Sequence, residues 1–348
     1  MRLAMPNADV PNMKVGSGHA TFIIAEMACS HEGNPDLARK IINGAGQAGA
    51  NAIQFQIWSL RDMVVPYHPE YEKLTKAELS RKEWSNLASW VRDSYPEMRI
   101  VACVYERSSV DFAENINVDA YKLHSGDLSN PYLIKHVAAS GKRIDLSVGA
   151  STLDETQTAI ELIKSVSQTE IWLMYGYQNF PTRTEDVHLS YMMKLKQFFE
   201  LPIGYQDHSD AETDAAFWLP AAAVGLGVDI LEKHITHDRS YKGIDHQAAL
   251  NPSEFSRFVA MVHEIEAAKG ISTPKVFSAE ELKYRKYARK TLVASHDLPG
   301  GTRLCENDLL FMRADDVGLS PDQAYRLVGR ELKRDIAAYH LVLDEDVV

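Results

Sequence analysis

The sequence predicts an α/β fold: a (β/α)8, or TIM, barrel followed by a small β-rich module. Three observations carry this reading. Short apolar runs rich in β-branched residues alternate with helical patterns eight times over roughly 250 residues. No GxGxxG follows any of the strands, which leaves a doubly wound open sheet as the weaker alternative. After Gly270 the rhythm changes to short strands and turns.

The elements follow in order. Residues 1–20 read as an irregular N-terminal arm. Thr21-Phe22-Ile23-Ile24-Ala25 is a buried strand that ends at Glu26. A polar loop runs from Met27 to Asn34, and Pro35 opens a helix that Gly49 closes. Further strands end at Gln56, near Tyr105, at Ser125, at Gly149 and at Gly176. Two more are Ile203–His208 and Ile230–His234. Helical patterns cover 131–140, 153–166, 189–199, 215–226 and, closing the set, 253–269. The barrel domain therefore spans 21–270. A linker with a charged helix spans 271–289. A β-rich module of 290–348 follows, with a turn at Pro299-Gly300-Gly301. So small a body has a thin core and is expected to dock on something.

Composition bounds the function. The chain has 348 residues, of which 45% are apolar, enough for a substantial core. Its net charge is −11 and no Lys/Arg run stands out, which argues against a nucleic-acid partner. A small anionic substrate held by a few buried cations stays open. Cys29, Cys103 and Cys305 form no CxxC pair, as expected of a reduced, cytoplasmic protein. The N-terminus lacks the apolar region of a signal peptide, and no run approaches the roughly 20 apolar residues of a membrane span.

Two strands of one βαβ unit end in histidine, His208 and His234, each with a carboxylate close by. Strand C-termini carry the chemistry in parallel α/β folds. One such histidine is more often a hydrogen-bonded structural group; a matched pair points to a divalent metal. The other strand ends supply Glu26, Gln54, Gln56, Cys103, Tyr105, Lys122, Ser125, Ser147, Gln178, Asn179, Asp207 and Glu232. Lys233 joins the expected substrate-binding set, and the Asp245-His246 loop follows. A lysine inside a strand is costly unless paired, so Lys122 reads as an anion clamp, or else as an outer-face lysine. Ser125-Gly126-Asp127 and Ser147-Val148-Gly149 would let backbone N–H groups approach an anion. His31, His124, His237 and His246 are weaker metal candidates, with His237 expected to face solvent or to support another ligand.

Motifs then accumulate in order: IAE (Ile24–Glu26), SHEGN (Ser30–Asn34), KLHSGDLSN (Lys122–Asn130) and GKRIDLSVGAST (Gly141–Thr152). IGYQDHS (Ile203–Ser209), EKHITHDRSYKGIDH (Glu232–His246) and RKTLVAS (Arg289–Ser295) complete them. From about residue 20 to its end the chain resembles the N-acetylneuraminate (sialic acid) synthase family. The resemblance implies a barrel paired with a SAF, or antifreeze-like, module, and condensation of phosphoenolpyruvate with an open-chain amino sugar or related aldose. It implies that His208 and His234 ligate a divalent metal, Mn²⁺ first, with Mg²⁺ or Co²⁺ as alternatives. It places Glu26 near the acceptor and makes Glu232 and Asp245 candidates for proton transfer or hydroxyl binding. Lys122, Ser125 and Ser147 would hold the donor's phosphate and carboxylate. Arg313 would be the arginine that the small module offers to the acceptor across a domain-swapped homodimer.

The chain departs from the family pattern at several points. Gln54 stands where the family has a lysine that helps hold phosphoenolpyruvate, a loss of roughly 1.5–3 kcal/mol if nothing compensates. Ala102-Cys103-Val104-Tyr105 replaces STPF, and Met174 to Asn179 replaces an HCTS-type strand end. Gln206-Asp207-His208 replaces SDH, and Arg313-Ala314-Asp315-Asp316 replaces KRPG. The alternatives are a metal-dependent aldolase or other sugar-modifying enzyme that no longer uses phosphoenolpyruvate, and a non-catalytic carbohydrate-binding protein.

Overall fold

The computed structural model describes residues 15, 16, 18–270 and 273–348; most of the expected N-terminal arm lies outside them. The chain divides into two compact units, Met1–Gly270 and Ile271–Val348. The first runs β1 (Phe22–Glu26), α1 (Pro35–Ala48), β2 (Ala52–Ile57), α2 (Leu60–Met63), α3 (Tyr71–Ala77), α4 (Arg81–Ser94) and β3 (Arg99–Val104). It continues with α5 (Arg107–Asn115), β4 (Ala120–Leu123), α6 (Pro131–Ala138), β5 (Arg143–Ser147), α7 (Leu153–Val166) and β6 (Ile171–Tyr175). It closes with α8 (Leu189–Phe199), β7 (Ile203–Asp207), α9 (Ala215–Leu226), β8 (Ile230–His234) and α10 (Pro252–Lys269).

The eight strands close into one parallel barrel in sequence order, with β8 pairing back onto β1. Local chemistry sets the helices between them. Asn34 caps α1 by accepting the Asp36 N–H, Pro35 sits in its first turn, and Gly49 ends it at φ 84°. Thr152 and Glu155 form a capping box on α7.

Strand side chains alternate between two layers. Outward residues such as Ile23, Ile53, Phe55, Tyr121, Leu146 and Leu231 pack under the helices in the main core. Inward residues Phe22, Ile24, Ala52, Val101, Ala120, Trp172, Met174 and Ile230 fill the N-terminal half of the lumen. The Arg143 guanidinium lies 3.6 Å from the Trp172 ring centroid and pairs with buried Asp145 at 2.9 Å. The barrel floor is thus closed, and polar inward residues are left to the C-terminal rim.

One insertion interrupts the rhythm. Between β2 and α4 the chain adds α2 and α3. Trp58, Leu60 and Ala77 form a small apolar cluster there with Cys29, and Ile244 packs against it. This ties the insertion to the loops after β1 and β8, over one side of the mouth.

The second unit contains α11 (Ala279–Ala288) and the antiparallel pair β9 (Lys290–Ala294) and β10 (Leu309–Arg313). Isolated bridges such as Leu298↔Ile336 and Leu332↔Val347 extend it. Its core gathers Leu292, Leu304, Leu327, Ile336, Val342 and Val347.

Candidate active site

Register builds the site. Every strand but β6 brings an inward residue to the rim: Glu26 on β1, Gln54 and Gln56 on β2, Cys103 on β3, Lys122 on β4 and Ser147 on β5. Gln206 on β7 and Glu232 and His234 on β8 complete the ring, with His208 just past β7. Lys122 Nζ lies 2.6 Å from Glu232 Oε1 and 3.7 Å from Glu26 Oε2, all three groups buried. Burial depresses the Lys122 ammonium, but Glu232 and Glu26 outweigh it and the pKa is raised. Lys122 spends its shorter contact on Glu232. At Glu26 burial therefore prevails over Lys122 and pushes the carboxyl up to about 8. Glu26 Oε1 accepts the Ala28 N–H at 2.5 Å and Gln56 Nε2 at 3.4 Å, while Oε2 has no hydrogen-bond partner. Glu232 Oε2 is likewise buried and unpartnered. Each carboxyl thus keeps one oxygen free beside the lysine. Burial pushes the Cys103 thiol up to about 12, so it stays protonated.

The two histidine rings lie 5.3 Å apart, centroid to centroid. His208 Nδ1 faces the Tyr177 carbonyl oxygen at 2.9 Å, which favours the tautomer that leaves Nε2 as a lone pair. His234 Nδ1 is buried without a partner. Burial lowers both pKa values, so both rings are neutral, the form that ligates metals. The pair fits a divalent cation on donor chemistry and spacing. Among the described residues no group of three or more His, Cys, Asp and Glu is arranged to hold an ion. The pair would supply two imidazole ligands to such an ion, and further ligands would come from substrate or water. Phe180 packs on both rings, 4.3 Å from His208 and 5.6 Å from His234.

Above this layer lies a cavity of about 900 Å³. Phe180, Gln178 and Asn179 line one side, Glu70 and Lys73 from the insertion another, and Asp245 a third. Burial raises the Asp245 carboxyl despite Lys73 nearby. A mixed lining of carboxylates, amides, the lysines Lys73, Lys76 and Lys242, and the rings of Phe180 and His246 suits a polyhydroxylated ligand.

Two expected substrate-binding residues do not reach this site. Asp207 and Lys233 belong to the outward layer, where Lys233 Nζ meets Asp207 Oδ2 at 2.6 Å and both are almost wholly buried. Tyr205 and Ser209 satisfy the remaining Asp207 acceptors at 3.0 Å. They form a structural ion pair between barrel and helices, because residues one step from an inward histidine point the other way. Ser125 lies beyond the end of β4, on a helical turn, half-buried. Arg313 ends β10 on the second unit, exposed. His237, expected to face solvent or to support a ligand, has both ring nitrogens buried and unpartnered and packs 4.9 Å from Tyr241. The ring contains two residues not expected in it. Gln206 donates to Glu232 and accepts from Ser147. Phe180 covers the histidines. The signal for Gln206 was available: it shares inward parity with His208.

A closed parallel barrel with a lysine between two carboxylates and a neutral imidazole pair at its C-terminal rim defines the class, a barrel with an enzyme-like polar site at the catalytic end. The particular family follows from comparison: the NeuB family model matches residues 41–273, two thirds of the chain, and the chain belongs to that family. It is 30% identical to the N,N'-diacetyllegionaminic acid synthase of Legionella pneumophila, over 95% of this chain and 96% of that one. It is also 30% identical to the N-acetylneuraminate-9-phosphate synthase of Mus musculus, over 97% of this chain and 95% of that one. Among solved structures, the N-acetylneuraminic acid (sialic acid) synthetase of Leptospira borgpetersenii superposes with a TM-score of 0.70 at 30% identity. It covers 80% of this chain and 95% of that one.

Proposed function

We propose that this protein condenses phosphoenolpyruvate with an open-chain N-acylated amino sugar or related aldose. The product is a nonulosonic, sialic-acid-like 2-keto-3-deoxy sugar acid, and inorganic phosphate is released. The observation that carries the reading is the Lys122–Glu232–Glu26 cluster beside neutral His208 and His234. Two relatives 30% identical to this chain are named as synthases of such acids.

The chemistry balances as follows. C3 of phosphoenolpyruvate forms a bond to the aldehyde carbon, whose oxygen takes up a proton. Water adds to C2 and gives up a proton. The bond from C2 to the bridging oxygen then breaks, the new C2 hydroxyl gives its proton to the departing phosphate and becomes the ketone, and inorganic phosphate leaves with the bridging oxygen. Lys122 supplies fixed positive charge for the donor's acid groups. Glu26, protonated near neutral pH, is the acid for the aldehyde oxygen through Oε2. Glu232, through its free Oε2, is the acceptor for the water proton. Asp245, Gln178 and Asn179 bind acceptor hydroxyls in the cavity. Holding both substrates in register is itself a large part of the rate.

His208 and His234 are the residues that would hold a divalent ion, Mn²⁺ first, with Mg²⁺ or Co²⁺ as alternatives. Such an ion, when bound, supplies Lewis-acid polarisation of a carbonyl oxygen. The same reading includes a cytoplasmic homodimer in which the small unit, as a SAF module, brings Arg313 to the partner's acceptor site. Among the described residues no helix is long and apolar enough to cross a membrane.

The test is phosphate release from phosphoenolpyruvate with a panel of acceptors, N-acylated hexosamines and diacetamido-trideoxyhexoses among them. The purified protein is expected to carry a divalent ion, His208→Ala to lose it, and phosphate to appear only when an acceptor is present. Metal-loaded protein that releases no phosphate with any acceptor points to the aldolase alternative. A metal-free, inactive wild type that still binds sugars points to a carbohydrate-binding protein.

A further inference from the structure

Four buried side chains in the lumen are joined end to end. Ser147 Oγ lies 3.1 Å from Gln206 Oε1, Gln206 Nε2 lies 3.0 Å from Glu232 Oε1, and Lys122 Nζ lies 2.6 Å from that same oxygen. Chemistry fixes the direction of every bond. An ammonium only donates and a carboxylate only accepts. The amide must therefore turn its NH₂ to Glu232, since the reverse orientation sets two oxygens against each other. Its carbonyl oxygen then faces Ser147, and that hydroxyl must donate to it. The one Ser147 proton is spent inside the network.

The strand ends beside this network pack closely. A Cβ on Gly176 would lie 2.5 Å from the Gln206 backbone carbonyl oxygen and 2.7 Å from Gln206 Cβ. A Cβ on Gly149 would lie 2.2 Å from the Gly176 carbonyl oxygen and 2.8 Å from Gln178 Nε2. Glycine at 176 lets β6 end close against the β7 backbone that carries Gln206.

We infer that Gln206 is a positioning residue whose amide gives this network one polarity, Ser147 to Gln206 to Glu232. It holds Glu232 against Lys122 and leaves Lys122, not the Ser147 hydroxyl, as the donor to the substrate's acid groups. The inference rests on the proposed function in naming phosphoenolpyruvate as that substrate. It reverses the role that the family resemblance implies for Ser147.

The experiment compares phosphoenolpyruvate binding by calorimetry, and phosphate release, in wild type, Gln206→Met and Ser147→Ala. Gln206→Met keeps the volume and removes both hydrogen bonds. It is expected to weaken phosphoenolpyruvate binding and to lower kcat by about tenfold each, the loss of roughly one charge-assisted bond, with acceptor KM held within about threefold. Its melting temperature should stay within a few degrees of wild type. Ser147→Ala should weaken phosphoenolpyruvate binding by less than about threefold. A tenfold or greater weakening by Ser147→Ala overturns the inference. So does a Gln206→Met protein that binds and turns over like wild type, because filling space would then be its whole role. If Gln206→Met does not fold, Gln206→Glu keeps the size, sets an oxygen against Glu232, and is expected to show the same losses. Wild type that binds phosphoenolpyruvate but releases no phosphate sinks the proposed function alone, and the binding comparison still decides this inference. Wild type that binds no phosphoenolpyruvate overturns both.

Discussion

Burial decides how the two carboxyls facing Lys122 divide their work. Lys122 sits 2.6 Å from Glu232 and 3.7 Å from Glu26, so Glu26 is left to its desolvated surroundings and rises to about 8. Phosphate release should therefore fall as pH rises through about 8 and the acid is lost, whereas Glu26→Gln should be slow and lack that limb. A pH–rate profile of both proteins checks this. Linkage has the matching sign. From about pH 4.5 to about 8 the folded chain keeps a Glu26 proton that the unfolded chain has released, so this group's stabilising contribution declines across that window and levels off above it. The Asp207–Lys233 pair behaves differently. Lys233→Met strands a buried carboxylate and should cost ~3–5 kcal/mol in urea unfolding, with substrate KM unchanged in the protein that remains folded. Strand-end position made Glu26, Lys122, Glu232 and the histidines legible in the sequence. It also drew in Asp207 and Lys233, because position along a strand does not say which face a residue takes. Period-two parity counted from His208 separates them.

The strands were legible because each is a short β-branched run, and their ends matter because the rim is the site. Their helices were legible through caps such as Asn34-Pro35 and Thr152 with Glu155. The paired helices α2 and α3 were not legible, because their apolar residues serve a small local cluster around Trp58 and Leu60 and break the period of the main core. The glycines at the ends of β5 and β6 carry a test at this scale. Gly176→Ala must push the Gln206 backbone, since the new carbon would lie 2.5 Å from its carbonyl oxygen. We expect a loss of ~1–3 kcal/mol in urea unfolding and a fall in phosphate release, measured on the same preparation. Gly225, where an added Cβ meets nothing within 4 Å, is the control: Gly225→Ala on α9 should leave both unchanged or slightly raise stability.

At the scale of the molecule, the first unit holds every residue of the lumen, the histidine pair and the cavity above them, while Arg313 stands on the second. Deleting the second unit should leave phosphoenolpyruvate binding to the barrel intact and raise acceptor KM, read by calorimetry and steady-state kinetics. The family was legible in the order and spacing of seven short motifs. The acceptor was not, because the residues that choose it lie on loops around a 900 Å³ cavity, where shape and charge follow no period. The central claim is carbon–carbon bond formation with phosphate leaving by carbon–oxygen cleavage. Phosphoenolpyruvate labelled with heavy oxygen at the bridging position, incubated with metal-loaded protein and an accepted aldose, tests it most directly by mass spectrometry. The account predicts that all the label leaves in inorganic phosphate, matched one for one by a sugar acid three carbons longer than the acceptor. Label retained in the sugar acid, or carbon–carbon bond formation without phosphate, would contradict it.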